Sequence, residues 1–209
     1  MSDVHEHMEH AEDVEHAAHS NKRIALLIAV LALFLAFSET LGKGAQTAAL
    51  SQNIEASDLW AFFQAKTIRQ TILRTAAETN AIELATVPEP AKAAMQKQID
   101  TYNKTIDRYE SDPQSKEGRK ELTDRAHETE QRRDENFAKY ENYEMASAAF
   151  QIGIVLASAS VITGMLALTW GAIGLGAIGL MFTGFGLFAP DMLERVHHMM
   201  SAAGPAAGH

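Results

Sequence analysis

Five histidines stand near the start of the chain, His5, His7, His10, His16 and His19, among six carboxylates and with no Lys or Arg before Lys22. His7 and His10, and again His16 and His19, are three apart, so on a helix each pair shares a face, with Glu6, Glu9, Glu12 and Glu15 close by. Imidazole and carboxylate together suit zinc, nickel or copper. Two features weigh against a resident metal. The HExxH zinc pattern fails, because Glu6 follows His5 but Glu9 stands where the second His belongs. A polar tail also supplies no outer shell to orient the ligands. The expectation is no cofactor and no established metal site, with these five histidines as the candidates. They titrate near neutrality in any case.

Other chemistry-bearing residues are few. Glu39 is the only ionisable side chain in the first apolar run, where it serves either as an interfacial anchor or as part of an ion path. Gly174-Leu175-Gly176-Ala177-Ile178-Gly179 has the letters of a dinucleotide fingerprint. That motif needs a preceding strand and a helix N-terminus aimed at pyrophosphate. Here it sits inside an apolar run, where helix packing is the better reading. No nucleophile elbow, phosphate loop or catalytic triad is recognisable, and the expectation is that the protein is not an enzyme.

The elements that must carry these residues are read from hydropathy. From Ala146 to Pro190 there is no Asp, Glu, Lys, Arg or His. One helix of that length would reach ~65 Å, about twice the hydrocarbon thickness of a bilayer, so the segment must fold back. Thr169-Trp170-Gly171, near its midpoint, is the expected turn. The predicted fold is all-α, with three transmembrane helices and an extramembrane helical bundle or coiled-coil stalk between the first and second. Residues 1–23 form the acidic tail, 24–42 the first span and 43–145 the extramembrane domain. Residues 146–168 and 171–189 are the second and third spans, and 190–209 a C-terminal tail with Arg195, His197 and His198.

Within 43–145 the pattern stays helical. Leu50, Ile54, Leu59, Phe62, Phe63, Ile68, Ile72, Leu73, Ala76 and Ile82 recur mostly at spacings of three to five. Val87-Pro88-Glu89-Pro90 must end that helix. Met95, Ile99, Tyr102, Ile106 and Tyr109 mark a second helix with a narrow apolar seam. Ser111-Asp112-Pro113 through Gly118 is a turn, and a third helix from about Arg119 runs into the second span without a breaker.

All three spans carry small residues in steps of three and four. These are Ala25, Ala29, Ala32 and Ala36; then Gly153, Ala157, Ser160 and Gly164; then Ala172, Gly176, Gly179, Thr183 and Gly186. Lipid tails give helices no hydrophobic reason to associate, so such stripes let backbones approach and gain dispersion contact. The glycine-dense third stripe is the strongest of them, and Gly153, Gly164, Gly176 and Gly179 are the packing candidates.

The chain of 209 residues carries a formal net charge of −9 and no cysteine. The acidic balance argues against nucleic acid as a partner, and disulfides and thiolate metal sites are excluded. Mean hydropathy is only −0.14, so a strongly polar domain offsets the apolar spans.

The stretch Ala56-Ser57-Asp58-Leu59-Trp60-Ala61-Phe62-Phe63-Gln64-Ala65-Lys66-Thr67-Ile68-Arg69 is distinctive. With the acidic His-rich head and the three spans, it resembles a family of bacterial membrane proteins, the domain-of-unknown-function family numbered 4337. The resemblance covers nearly the whole chain and implies three spans and a helical extramembrane domain. It implies no activity, substrate or cofactor. Family members often carry basic residues between the last two spans, where this chain has only Thr169-Trp170-Gly171. Those residues would put that turn in the cytoplasm. Lys22-Arg23 supports a cytoplasmic N-terminus, and the expected location is the bacterial inner membrane with the helical domain in the periplasm.

Within the motif, Trp60, Phe62 and Phe63 are expected to pack the bundle core against Phe137, Tyr140 and Tyr143. The competing reading makes Trp60 and Phe63 a docking or oligomer face, with Gln64, Lys66 and Arg69 supplying polar contacts. The expected partners are the lipid bilayer, further copies of the chain, and an unidentified protein. The leading function is a non-enzymatic scaffold that self-associates through its glycine-rich spans and stalk. A small channel or transporter subunit is the alternative, though an ion pore usually needs a polar or charged lining, which the Ser and Thr of the last two spans supply only sparsely. A metal-binding role for the tail is the third.

Overall fold

The computed structural model describes residues 2–190, with side chains placed from residue 22. Four helices follow one another: α1, Ser2–Glu83; α2, Glu89–Glu110; α3, Arg119–Thr163; and α4, Leu166–Phe188. No strand occurs among the described residues. α1, α3 and α4 are long and apolar enough to cross a membrane, with apolar windows of mean hydropathy 2.4, 1.8 and 1.7. Arg195, His197 and His198 lie outside the described residues, as do the side chains of the five N-terminal histidines.

The chain forms two compact units, one from Ala49–Asp134 and one from the described residues on either side. The first joins the later part of α1, all of α2 and the start of α3. α1 ends where Thr86 N–H bonds the Glu83 carbonyl, ahead of Pro88, whose ψ of 150° cannot continue a helix. Pro90 then sits in the first turn of α2, where its missing N–H has no intrahelical partner to lose. The link from α2 to α3 is held by the Glu121 carboxylate, which accepts from the Ser111 hydroxyl (2.6 Å) and the Asp112 N–H (3.2 Å). Leu59, Leu122 and Ala126 form the buried centre, with Trp60, Phe62 and Phe63 against them.

The second unit packs the three apolar helices. Ile24, Ala157 and Ala172 make one buried cluster, and Leu31, Ala146 and Phe150 another. Inside it the Ser38 and Thr183 hydroxyls pair at 3.0 Å, and Thr183 donates back to the Gly179 carbonyl, so neither hydroxyl is left unpaired. Asn142, fully buried, donates to the Ala138 and Pro190 carbonyls.

Two expectations are corrected. The turn between the second and third apolar helices falls at Gly164-Met165, not at Thr169-Trp170-Gly171, which lies within α4. Gly164 has φ +67°, a conformation glycine adopts at no steric cost, and its N–H closes the end of α3 on the Ser160 carbonyl. Ser160 then bonds the Thr169 hydroxyl (2.6 Å) and the Met165 carbonyl (3.2 Å), while Met165 N–H donates to the Thr163 hydroxyl. Gly164 therefore turns the chain instead of packing, and a Cβ there would meet nothing within 4 Å. The second correction concerns the aromatic core. Phe137, Tyr140 and Tyr143 belong to the other unit, and Trp60 and Phe63 pack on Leu122 and Ala126.

Candidate functional site

The distinctive stretch 56–69 occupies the part of α1 that builds the Ala49–Asp134 unit, and the helix gives it two faces. Inward, at steps of three and four, stand Ala56, Leu59, Phe63, Lys66 and Gln70, with Trp60 half-buried beside them. The Trp60 indole donates to Glu130 Oε1 (2.9 Å), and Glu130 Oε2 lies 3.0 Å from His127 Nδ1. The His127 ring meets Trp60 edge-on at 5.4 Å, and Phe63 does so from α1 itself at 5.6 Å. The indole hydrogen bond, and then that of His127, hold the Glu130 carboxyl below the usual glutamate range.

Further along, Lys66 is only 7% exposed. Its ammonium lies over the Phe62 and Tyr109 rings, 5.1 and 5.5 Å from their centroids, and 3.5 Å from the Glu117 carboxylate. Arg119 stacks over Phe63 and donates to Gln70 Oε1 (2.7 Å) and Glu110 Oε2 (2.8 Å). Gln70 in turn donates to Glu110 Oε2 and to the Ile106 carbonyl. The Gln70 hydrogen bond is the main cause lowering the Glu110 carboxyl below its usual range, with Arg119 adding to it against the cost of burial. These groups bind one another across three helices. Partnered polar groups at core positions fix register, because a slip would strand them in an apolar setting. Among the described residues no three His, Asp or Glu gather where they could hold a metal ion.

The outward face is different. Leu50, Ile54, Ile68, Ile72 and Ile82 are 56–76% exposed, and Ala61, Gln64 and Arg69 also face outward. The single apolar series that periodicity suggested is thus two series on opposite sides of α1. Lys66 is corrected from a docking contact to a core residue, while Gln64 and Arg69 remain at the surface.

The packing glycines fall in the other unit. A Cβ at Gly153 would come 3.4 Å from Leu31 and from the Ala172 carbonyl. At Gly176 it would meet Leu31 at 2.8 Å, at Gly179 the Phe150 ring at 2.6 Å, and at Gly186 the Tyr143 ring at 2.7 Å. This stripe is filled from within the chain. The alanine stripe of the first span is exposed. Glu39 accepts from the Gln151 amide at 3.4 Å and lines an open cleft of about 420 Å³ with Lys43, Tyr140 and Glu144. The fingerprint-like glycines lie in the middle of α4, away from any helix N-terminus.

Sequence reasoning missed Gln70, Glu110, Arg119, His127 and Glu130. The available signal was phase: Lys66 and Gln70 continue the Leu59–Phe63 spacing and must therefore point inward. No curated protein and no solved structure matches the chain. The family model described as a domain of unknown function (DUF4337) matches residues 20–189, from just before the first apolar run to the end of α4, and the chain belongs to that family.

Proposed function

We propose that this protein is a membrane-anchored scaffold without enzymatic activity, whose extramembrane helices associate with further copies of the chain. One observation carries the reading: the later part of α1 is apolar on two opposite sides, and only one is covered by its own bundle. A contiguous exposed apolar surface of this kind marks an interaction site. Closure of the apolar seam by Leu31, Phe150 and Tyr143 favours a scaffold over a pore within one chain. The proposed setting is the inner membrane, with Lys22-Arg23 on the cytoplasmic side and Ala49–Asp134 in the periplasm, in keeping with the positive-inside tendency.

The test is the native mass of the detergent-purified protein, paired with amine crosslinking in intact membranes. A single defined multiple of 22.8 kDa in both is the expected result. A monomer in both overturns the proposal.

A further inference from the structure

A helix returns to the same face after about 18 residues. On that interval Ala25, Ala29, Ala32 and Ala36 recur along α1 as Lys43, Thr47, Leu50 and Ile54, and again as Ala61, Ala65, Ile68 and Ile72. Of these twelve positions eleven are exposed and Ala65 is half-buried. The residue types change with the expected medium. Inside the apolar run they are alanines, which let a neighbouring backbone come close where lipid offers no hydrophobic drive. Beyond it four of the eight, Leu50, Ile54, Ile68 and Ile72, are Leu or Ile, which gain by leaving water, and they stand with Lys43, Thr47, Ala61 and Ala65. A soluble partner would meet only the outer set, whereas a second membrane-anchored helix of the same make-up satisfies both.

We infer that the outward face of α1 packs against the same face of a second copy, parallel and in register. The inference rests on the self-association proposed above and specifies its geometry. Both copies enter the bilayer through the same segment, so residues of equal number start at equal depth and like meets like. The apolar area is sufficient. Leu50, Ile54, Ile68, Ile72 and Ile82 each leave about 100 Å² to be covered, so two copies bury on the order of 1,000 Å², the size a specific interface needs.

The polar groups fit as well. Gln64 and Arg69 flank the stripe on opposite sides and five residues apart, the relation that pairs facing flanks in a parallel two-helix seam. The Arg69 guanidinium of one copy then donates to the Gln64 amide oxygen of the other.

The chain has no cysteine, so single cysteines report proximity without background. Ala32→Cys, Ile54→Cys and Ile68→Cys would be oxidised with copper phenanthroline in native membranes. Glu55→Cys and Arg74→Cys, exposed on other sides of α1, serve as controls. A disulfide needs Cα atoms about 4.4–6.8 Å apart, so the first three should form dimers roughly tenfold faster than the controls. Equal rates at test and control positions would overturn the inference while leaving an oligomeric native mass, and hence the scaffold reading, standing. In membranes holding both Ile54→Cys and Ile82→Cys chains, faster mixed than same-position crosslinking would also overturn it. A monomeric native mass would remove both.

Discussion

Replacing Gly179 with alanine is the sharpest probe of how the apolar helices pack. The added Cβ would stand 2.6 Å from Phe150 Cε1 and within 2.9 Å of two further ring atoms. Phe150 is fully buried and stacks on Phe34 at 6.0 Å, so moving its ring aside means shifting its neighbours. Overpacking of this kind costs about 1–3 kcal/mol, against a helix-propensity gain of roughly 1 kcal/mol for Gly to Ala. The net expectation is a loss of up to about 2 kcal/mol. Gly174→Ala is the matched control, since a Cβ there meets nothing within 4 Å and only the propensity gain remains. Gly176→Ala should fall between them, because the atom in its way is the mobile end of Leu31. Thermal unfolding of the purified protein in detergent, followed at several protein concentrations, measures all three. Pairing Gly179→Ala with Phe150→Leu should recover part of the loss, as expected of residues in direct contact. Equal stability of Gly179→Ala and Gly174→Ala would refute the intrachain seam. A Gly179→Ala defect that disappeared on dilution would refute it too, and would return the stripe to contacts between copies.

Three further perturbations address the Ala49–Asp134 unit. Gly118→Ala should destabilise it by about 1–3 kcal/mol, because the new Cβ would lie 2.4 Å from Asp112 N and 2.6 Å from Ser111 Cα, backbone atoms that cannot step aside; urea unfolding at wild-type midpoint would contradict this. Glu110 and Glu130 both have carboxyls lowered by native hydrogen bonds, so their contribution is present above the unfolded value near 4.5 and is lost as pH falls through the lower folded values. Urea midpoints should therefore drop as pH falls below about 4.5. Trp60→Phe, which removes the indole donor to Glu130, should lower stability at pH 7 with a deficit that shrinks in acid, whereas a pH-independent deficit would place the effect in ring packing alone.

Much of this architecture is legible in the chain. Charge-free runs and their lengths dictate apolar helices, because a bilayer or a buried core excludes unpaired charge. Pro88 and Pro90 dictate a helix end, because proline removes a donor and restricts the residue before it. The seam of α2 and the small-residue stripe of α4 follow from spacing alone, and Ala172, Gly176, Gly179, Thr183 and Gly186 are buried. Spacing reports which residues share a face, however, and not what that face meets. That is why the turn at Gly164 was hidden, since a glycine in a packing stripe and a glycine at positive φ are the same letter. For the same reason Leu50, Ile54, Ile68 and Ile72 read as one apolar series with Leu59 and Phe63 until the bundle took only one side of α1. Lys66 read as a surface charge until Phe62, Tyr109 and Glu117 closed around it. Which helix supplies the opposing side chains depends on contacts between residues far apart in the chain, and those are decided only when the whole chain packs.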